Sequence, residues 1–193
     1  MKNFISYLIV ALFVPGLCAC SSSDNDDDDV LPDIYDPIDD VDDEDETPRV
    51  YEVVFTLEGE HWKDIDVDVT AVCVADVSLS EKGILINDKL YDATTTYTTP
   101  YTSSSTVSYT FNSDSMKICK IRTEGKMESL SVGITMIAFR ATASGSRPFN
   151  IKAYSDGNLI KEIENSMDDK DGISYQLLCA FNKCEVYASE LKL

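Results

Sequence analysis

One histidine and one tryptophan in 193 residues are the scarcest chemistry this chain has. Any Ser-His-Asp or Cys-His site would have to use His61, and no nucleophile elbow accompanies it. HExxH and CxxC are absent, which removes the common zinc spacings, and no glycine-rich phosphate loop is present. No apolar run is long enough to cross a bilayer as a helix. Lys and Arg are few, 16 against 35 Asp and Glu. Nucleic acid is therefore not an expected partner, because phosphate binding draws on clustered cations, and docking on anionic lipid is disfavoured for the same reason. Enzymatic chemistry would have to rest on carboxylates, and a pair such as Glu58 and Glu60 is too common to signal glycoside hydrolysis. The expectation is a protein without cofactor or catalytic site.

The charge that is present is unevenly spread. Fourteen acidic residues and no basic one lie between Asp24 and Glu46. With those and Lys2 set aside, 21 acidic and 15 basic residues remain in 49–193, a net of −6 against −19 for the whole chain. Acidity belongs to one segment.

Ahead of that segment, Lys2, the apolar run from Phe4 to Val14 and the break at Pro15-Gly16 have the layout of an export signal. Leu17-Cys18-Ala19-Cys20 resembles the lipobox of bacterial lipoproteins, with Leu at −3 and a small residue at −1. The resemblance implies cleavage after residue 19 and lipid on Cys20, and thus a membrane partner through the N-terminal lipid. Several acyl chains on one residue make a stable anchor, at about 0.8 kcal/mol per buried CH₂. Ser23, Asp24, Asp26, Asp27, Asp28 and Asp29 resemble the export signal of surface lipoproteins in Bacteroides-type bacteria, which implies an outer-membrane protein facing outward. The plainer alternative is an acidic spacer. Residues 20–48 carry only isolated apolar side chains among acids and prolines, so they are expected to form a disordered tether.

Residues 49–193 carry the folded domain. Tyr51, Val53, Phe55 and Leu57 alternate with polar positions, and Ile65, Val67, Val69, Ala71, Cys73, Ala75, Val77 and Leu79 continue the same period. The length of the second run predicts a bulge, a bend or a strand shared between two sheets. Residues 94–106, rich in Thr, Ser and Tyr, read as a long loop or weak edge strand. Leu130, Val132, Ile134, Met136 and Ala138 alternate strictly, and Ser155-Asp156-Gly157-Asn158 marks a hairpin. Residues 159–163 fit a strand better than a helix. Eight or so strands with almost no helical period predict an all-β fold, an antiparallel β-sandwich of Ig-like or related Greek-key type, with a small barrel as the alternative.

Cys73, Cys119, Cys179 and Cys184 remain after cleavage, and an exported protein meets oxidising conditions. A turn centred on Phe181-Asn182 sets Cys179 against Cys184 at a spacing of about 4.5 Å between Cα atoms, which permits a disulfide. A turn at Asn182-Lys183 offsets them, and unbridged thiols would serve as small hydrophobes. For ligand binding, Trp62, Tyr97 and Tyr101 sit in loop-like stretches among carboxylates and hydroxyls, the mix that a sugar-binding surface uses. The competing reading seats Trp62 over the end of the core and packs the tyrosines along an edge strand. Asp64, Asp66 and Asp68 share a strand face that could offer oxygens to Ca²⁺, although alternation alone puts polar residues there. These residues favour a non-enzymatic binding module for an extracellular glycan or protein, with an accessory subunit of a surface assembly as the alternative.

Overall fold

The computed structural model describes residues 47–59, 61–63, 65–76, 83–91, 94–97, 102–138, 145–167 and 172–191. Cys20, the residues from 23 to 29, Asp64 and Tyr101 lie outside them, as does the side chain of Tyr97. The described residues form twelve strands in chain order: β1 (Tyr51–Leu57), β2 (Ile65–Asp76), β3 (Ile84–Ile86), β4 (Lys89–Tyr91), β5 (Thr94–Tyr97), β6 (Thr102–Asn112), β7 (Ile118–Thr123), β8 (Ser129–Ala138), β9 (Pro148–Ser155), β10 (Asn158–Ser166), β11 (Gly172–Ala180) and β12 (Lys183–Leu191).

They make an antiparallel β-sandwich of two six-stranded sheets. The first runs β10-β9-β1-β7-β3-β4 and the second β12-β11-β8-β2-β6-β5. Both sheets have open edges, so the barrel alternative is excluded. Each of the four edges is a hairpin, β9-β10 and β3-β4 in the first sheet, β11-β12 and β5-β6 in the second. Every other connection crosses from sheet to sheet, which leaves β1, β7, β8 and β2 at the centre.

The core follows from strand parity. Tyr51, Val53, Phe55 and Leu57 are buried on β1, and Ile65, Val67, Val69, Ala71, Cys73 and Ala75 on β2, as alternation requires. Aromatic rings fill one end, where Phe149 packs 6.1 Å from Phe55 and 5.5 Å, edge to face, from Tyr175. The length of β2 comes with no bulge or bend in register: it pairs without a shift along β6 and along β8. The shift occurs in the β9-β10 pair, between Leu159 and Lys161.

The Thr/Ser tract supplies the expected edge strand in its first part and an interior strand in its last. Residues 102–112 form an interior strand paired with β2 over its whole length, and Thr94–Tyr97 adds the edge. Ser103 and Ser105 are buried opposite Ala75 and Cys73, so small hydroxyl side chains meet small apolar ones there. At the turns, Asn87 and Asp88 carry φ of 50° and 62°, and Asp156 and Gly157 carry 48° and 81°. These left-handed pairs suit two-residue hairpins, whose twist must match that of the strands they join.

Candidate functional site

The outer face of the first sheet carries one continuous row across all six strands. Register places Leu90 beside Leu85, Leu85 beside Arg122, Arg122 beside Glu52, Glu52 beside Tyr154 and Tyr154 beside Leu159. Tyr51, Val53, Ile121 and Ala153 point into the core, so parity turns Glu52, Arg122 and Tyr154 outward. Arg122 and Tyr154 flank Glu52 from two strands apart, about 9–10 Å.

Beside this row, an open cleft of about 400 Å³ is lined by Val50, Glu52, Arg122, Tyr154, Asp156 and Gly157. Its volume falls in the range of small-ligand sites, about 300–1,000 Å³. The β9-β10 turn forms one wall and is held by Asp156, through both its backbone and its carboxylate. The Val50 N–H donates to Asp156 Oδ1 at 2.9 Å, and the Asp156 N–H donates to the Val50 carbonyl at 2.8 Å. Arg49 adds an ion pair to Asp156 at 3.4 Å.

The cleft charges divide into occupied and available groups. Lys120 Nζ lies 3.1 Å from Glu52, and Asp156 is engaged by Arg49 and Val50. Arg122 is exposed, and no described residue accepts a hydrogen bond or ion pair from its guanidinium. Tyr154 is half-buried, with no aromatic partner among the described residues. One cation and one ring face are thus open to a ligand, flanked by carboxylates fixed in place. A guanidinium presents a planar fork of donors to hydroxyl or carboxylate oxygens, and a phenol face packs against C–H groups.

Trp62 belongs elsewhere. It is 1% exposed, and its indole N–H donates to the carbonyls of both Glu58 and Pro148 at 2.9 Å. Its ring meets Phe149 edge to face at 6.3 Å. Lys117 and Ser113 donate to its carbonyl at 3.0 and 3.3 Å. Trp62 therefore closes the end of the core, and the sugar-platform reading of this residue is corrected: its ring has no free face to offer.

The aspartate face of β2 is also occupied. Asn112 donates to Asp66 at 2.8 Å and Thr110 to Asp68 at 2.6 Å, each from the residue directly opposite on β6. Among the described residues, no three His, Cys, Asp or Glu side chains group together as a cation site.

The closing hairpin turns at Phe181-Asn182, the first of the two turn alternatives, so Cys179 faces Cys184 in register. The two thiol sulfurs are 2.8 Å apart. The turn is bolted to the first sheet: the Phe181 N–H donates to the Tyr51 hydroxyl at 2.6 Å, and Ser155 Oγ donates to the Phe181 carbonyl at 2.7 Å. The Tyr51 hydroxyl in turn donates to the Glu128 carbonyl at 3.1 Å.

Neither a family profile nor a curated protein matches this chain. Among solved structures, it is similar to a DUF4425 family protein from Bacteroides ovatus ATCC 8483, with a TM-score of 0.43 and 14% identity over 75% of this chain and 95% of that one. A DUF4425 domain of unknown function from Bacteroides vulgatus ATCC 8482 gives 0.43 and 11%, over 76% and 94%. A Parabacteroides distasonis protein, solved by NMR in its calcium-bound form, gives 0.42 and 12%, over 84% and 99%.

Proposed function

We propose that this chain is a lipid-anchored outer-membrane protein, facing outward, whose sandwich is a non-enzymatic glycan-binding module using the Arg122-Glu52-Tyr154 row. Support for the anchor comes from Leu17-Cys18-Ala19-Cys20 and from the serine and aspartates that follow. Support for the ligand comes from a single observation: an unstacked tyrosine and an unpaired guanidinium share one open cleft with two positioned carboxylates. Ring stacking and a fork of donors are what a saccharide needs, and neither requires a reaction.

A glycan array probed with the wild-type domain, Tyr154→Ala and Arg122→Ala tests this. Each substitution is on the outer face and should leave the fold intact while weakening binding about tenfold or more, the effect of losing one good contact of about 1.4 kcal/mol. Binding unchanged in both variants would move the site elsewhere. Co-purification with an outer-membrane protein, together with no glycan signal, would replace the glycan with a protein partner.

A further inference from the structure

We propose that Cys179 and Cys184 are an oxidisable pair, in which Cys184 meets an incoming disulfide and Cys179 resolves it, stapling edge strand β12 to β11. The pairing rests on register. The two residues sit directly opposite each other, one position inside the turn-closing pair Ala180 and Lys183, with sulfurs 2.8 Å apart. An S–S bond of about 2.0 Å can form from there by side-chain rotation, since opposed Cα atoms at a non-hydrogen-bonded site are within the range a disulfide spans.

Among the four described cysteines, this is the one contact between sulfurs. Cys73 lies on β2 between Ser105 and Leu130, and Cys119 lies on β7 opposite Phe55, in the other sheet. Both are buried.

The order of reaction follows from access. Cys179 is fully buried on β11, while Cys184 is half-buried on the edge strand, where an attacking reagent can approach. Electrostatics act in the same direction. The hydrogen bond shared by the sulfurs holds Cys184 below the ordinary thiol range, with Lys161 nearby assisting, and together with burial it keeps Cys179 protonated. The turn between them cannot drift, because its Phe181 amide and carbonyl are tied to Tyr51 and Ser155.

The chemistry balances as thiol–disulfide exchange with a disulfide donor, a small molecule or an exported dithiol oxidant in its disulfide form. The Cys184 thiolate attacks the donor, one donor sulfur leaves as a thiolate, and a mixed disulfide remains on Cys184. Cys179 then loses its proton and attacks the Cys184 sulfur, expelling the second donor thiolate. Two protein thiols and one donor disulfide become one protein disulfide and two donor thiols.

Oxidised glutathione serves as the probe. The full chain, first reduced and freed of reductant, is incubated with it, acid-quenched, alkylated in denaturant without reductant, and mapped by peptide mass spectrometry. The expected product carries an unalkylated Cys179–Cys184 peptide lighter by two hydrogens, with Cys73 and Cys119 alkylated. Cys179→Ser should trap glutathione on Cys184, and Cys184→Ser should leave Cys179 free of it. Alkylation of both Cys179 and Cys184 after oxidant treatment, or a bridge from either to Cys73 or Cys119, would overturn the pairing. Equal glutathione capture by the two variants would overturn the order. Should a variant fail to fold, a time course of iodoacetamide labelling on the reduced wild type decides the order instead, with Cys184 modified first if it is right and Cys179 first or together with it if it is wrong.

Discussion

Burial pushes the Cys119 thiol up to about 12 from an ordinary value near 9. The unfolded chain therefore releases this proton at lower pH than the folded one. Stability attributable to the group is fully present below about pH 9 and falls as pH rises towards 12, by about 1.4 kcal/mol per pH unit for one thiol. Burial pushes Cys73 and Tyr51 the same way. Urea midpoints at pH 8 and pH 10 should thus separate in wild type and separate less in Cys119→Val; an equal gap in both proteins would refute the assignment. Residue scale is also where the sequence was hardest to read. Trp62 stands among Glu60, His61 and Lys63, and nothing in that context reveals that two carbonyls await its indole N–H. Tyr154 and Arg122 have no sequence motif at all, because only the register of three strands far apart in the chain brings them to one cleft.

At the scale of elements, unbroken apolar parity made β1, β2, β8 and β9 legible, while β10, whose parity breaks at the shift between Leu159 and Lys161, was marked only by the Asp156-Gly157 turn before it. Strand β6 was hidden for a physical reason. Its inward positions begin with Ser103 and Ser105, so the buried face does not look apolar, and the partner that makes those serines acceptable, β2, offers only Ala75 and Cys73 opposite them. The short β3-β4 hairpin was half legible: Ile84 and Ile86 are buried, but β4 holds exposed or half-buried residues and depends on the Asn87-Asp88 turn. The closing hairpin yields a test of how elements from the two sheets are joined. Tyr51→Phe keeps the ring in the core and removes the hydroxyl that accepts from Phe181 and donates to Glu128. Leaving those groups without a partner should cost about 1–3 kcal/mol in urea denaturation. A loss below about 0.5 kcal/mol would mean that the hairpin docks without this link.

For the whole molecule, the sequence separates a strongly acidic segment from a domain of modest charge, so acidity is no guide to the binding face. The outward-facing placement proposed above predicts that protease added to intact cells releases the domain by cutting between Cys20 and Arg49. A domain protected until the outer membrane is broken would place it inside instead.

The four corner hairpins also bear on how the chain reaches this structure. Each hairpin pairs neighbours in sequence, through turns as short as Asp156-Gly157 and Phe181-Asn182, and such units form on a timescale of about 1–10 μs. The central strands have no such shortcut: Val53 must find Ile121, and Val69 must find Ile134, before either inner face is covered. Loop-closure entropy is spent on those distant pairings before their contacts repay it. The slowest step in folding is expected to be the meeting of β1 with β7 and of β2 with β8: in a chain emerging N-terminus first, β2 can meet β6 once residue 112 has followed, whereas the centre of β1 waits for β7, about half of the domain away.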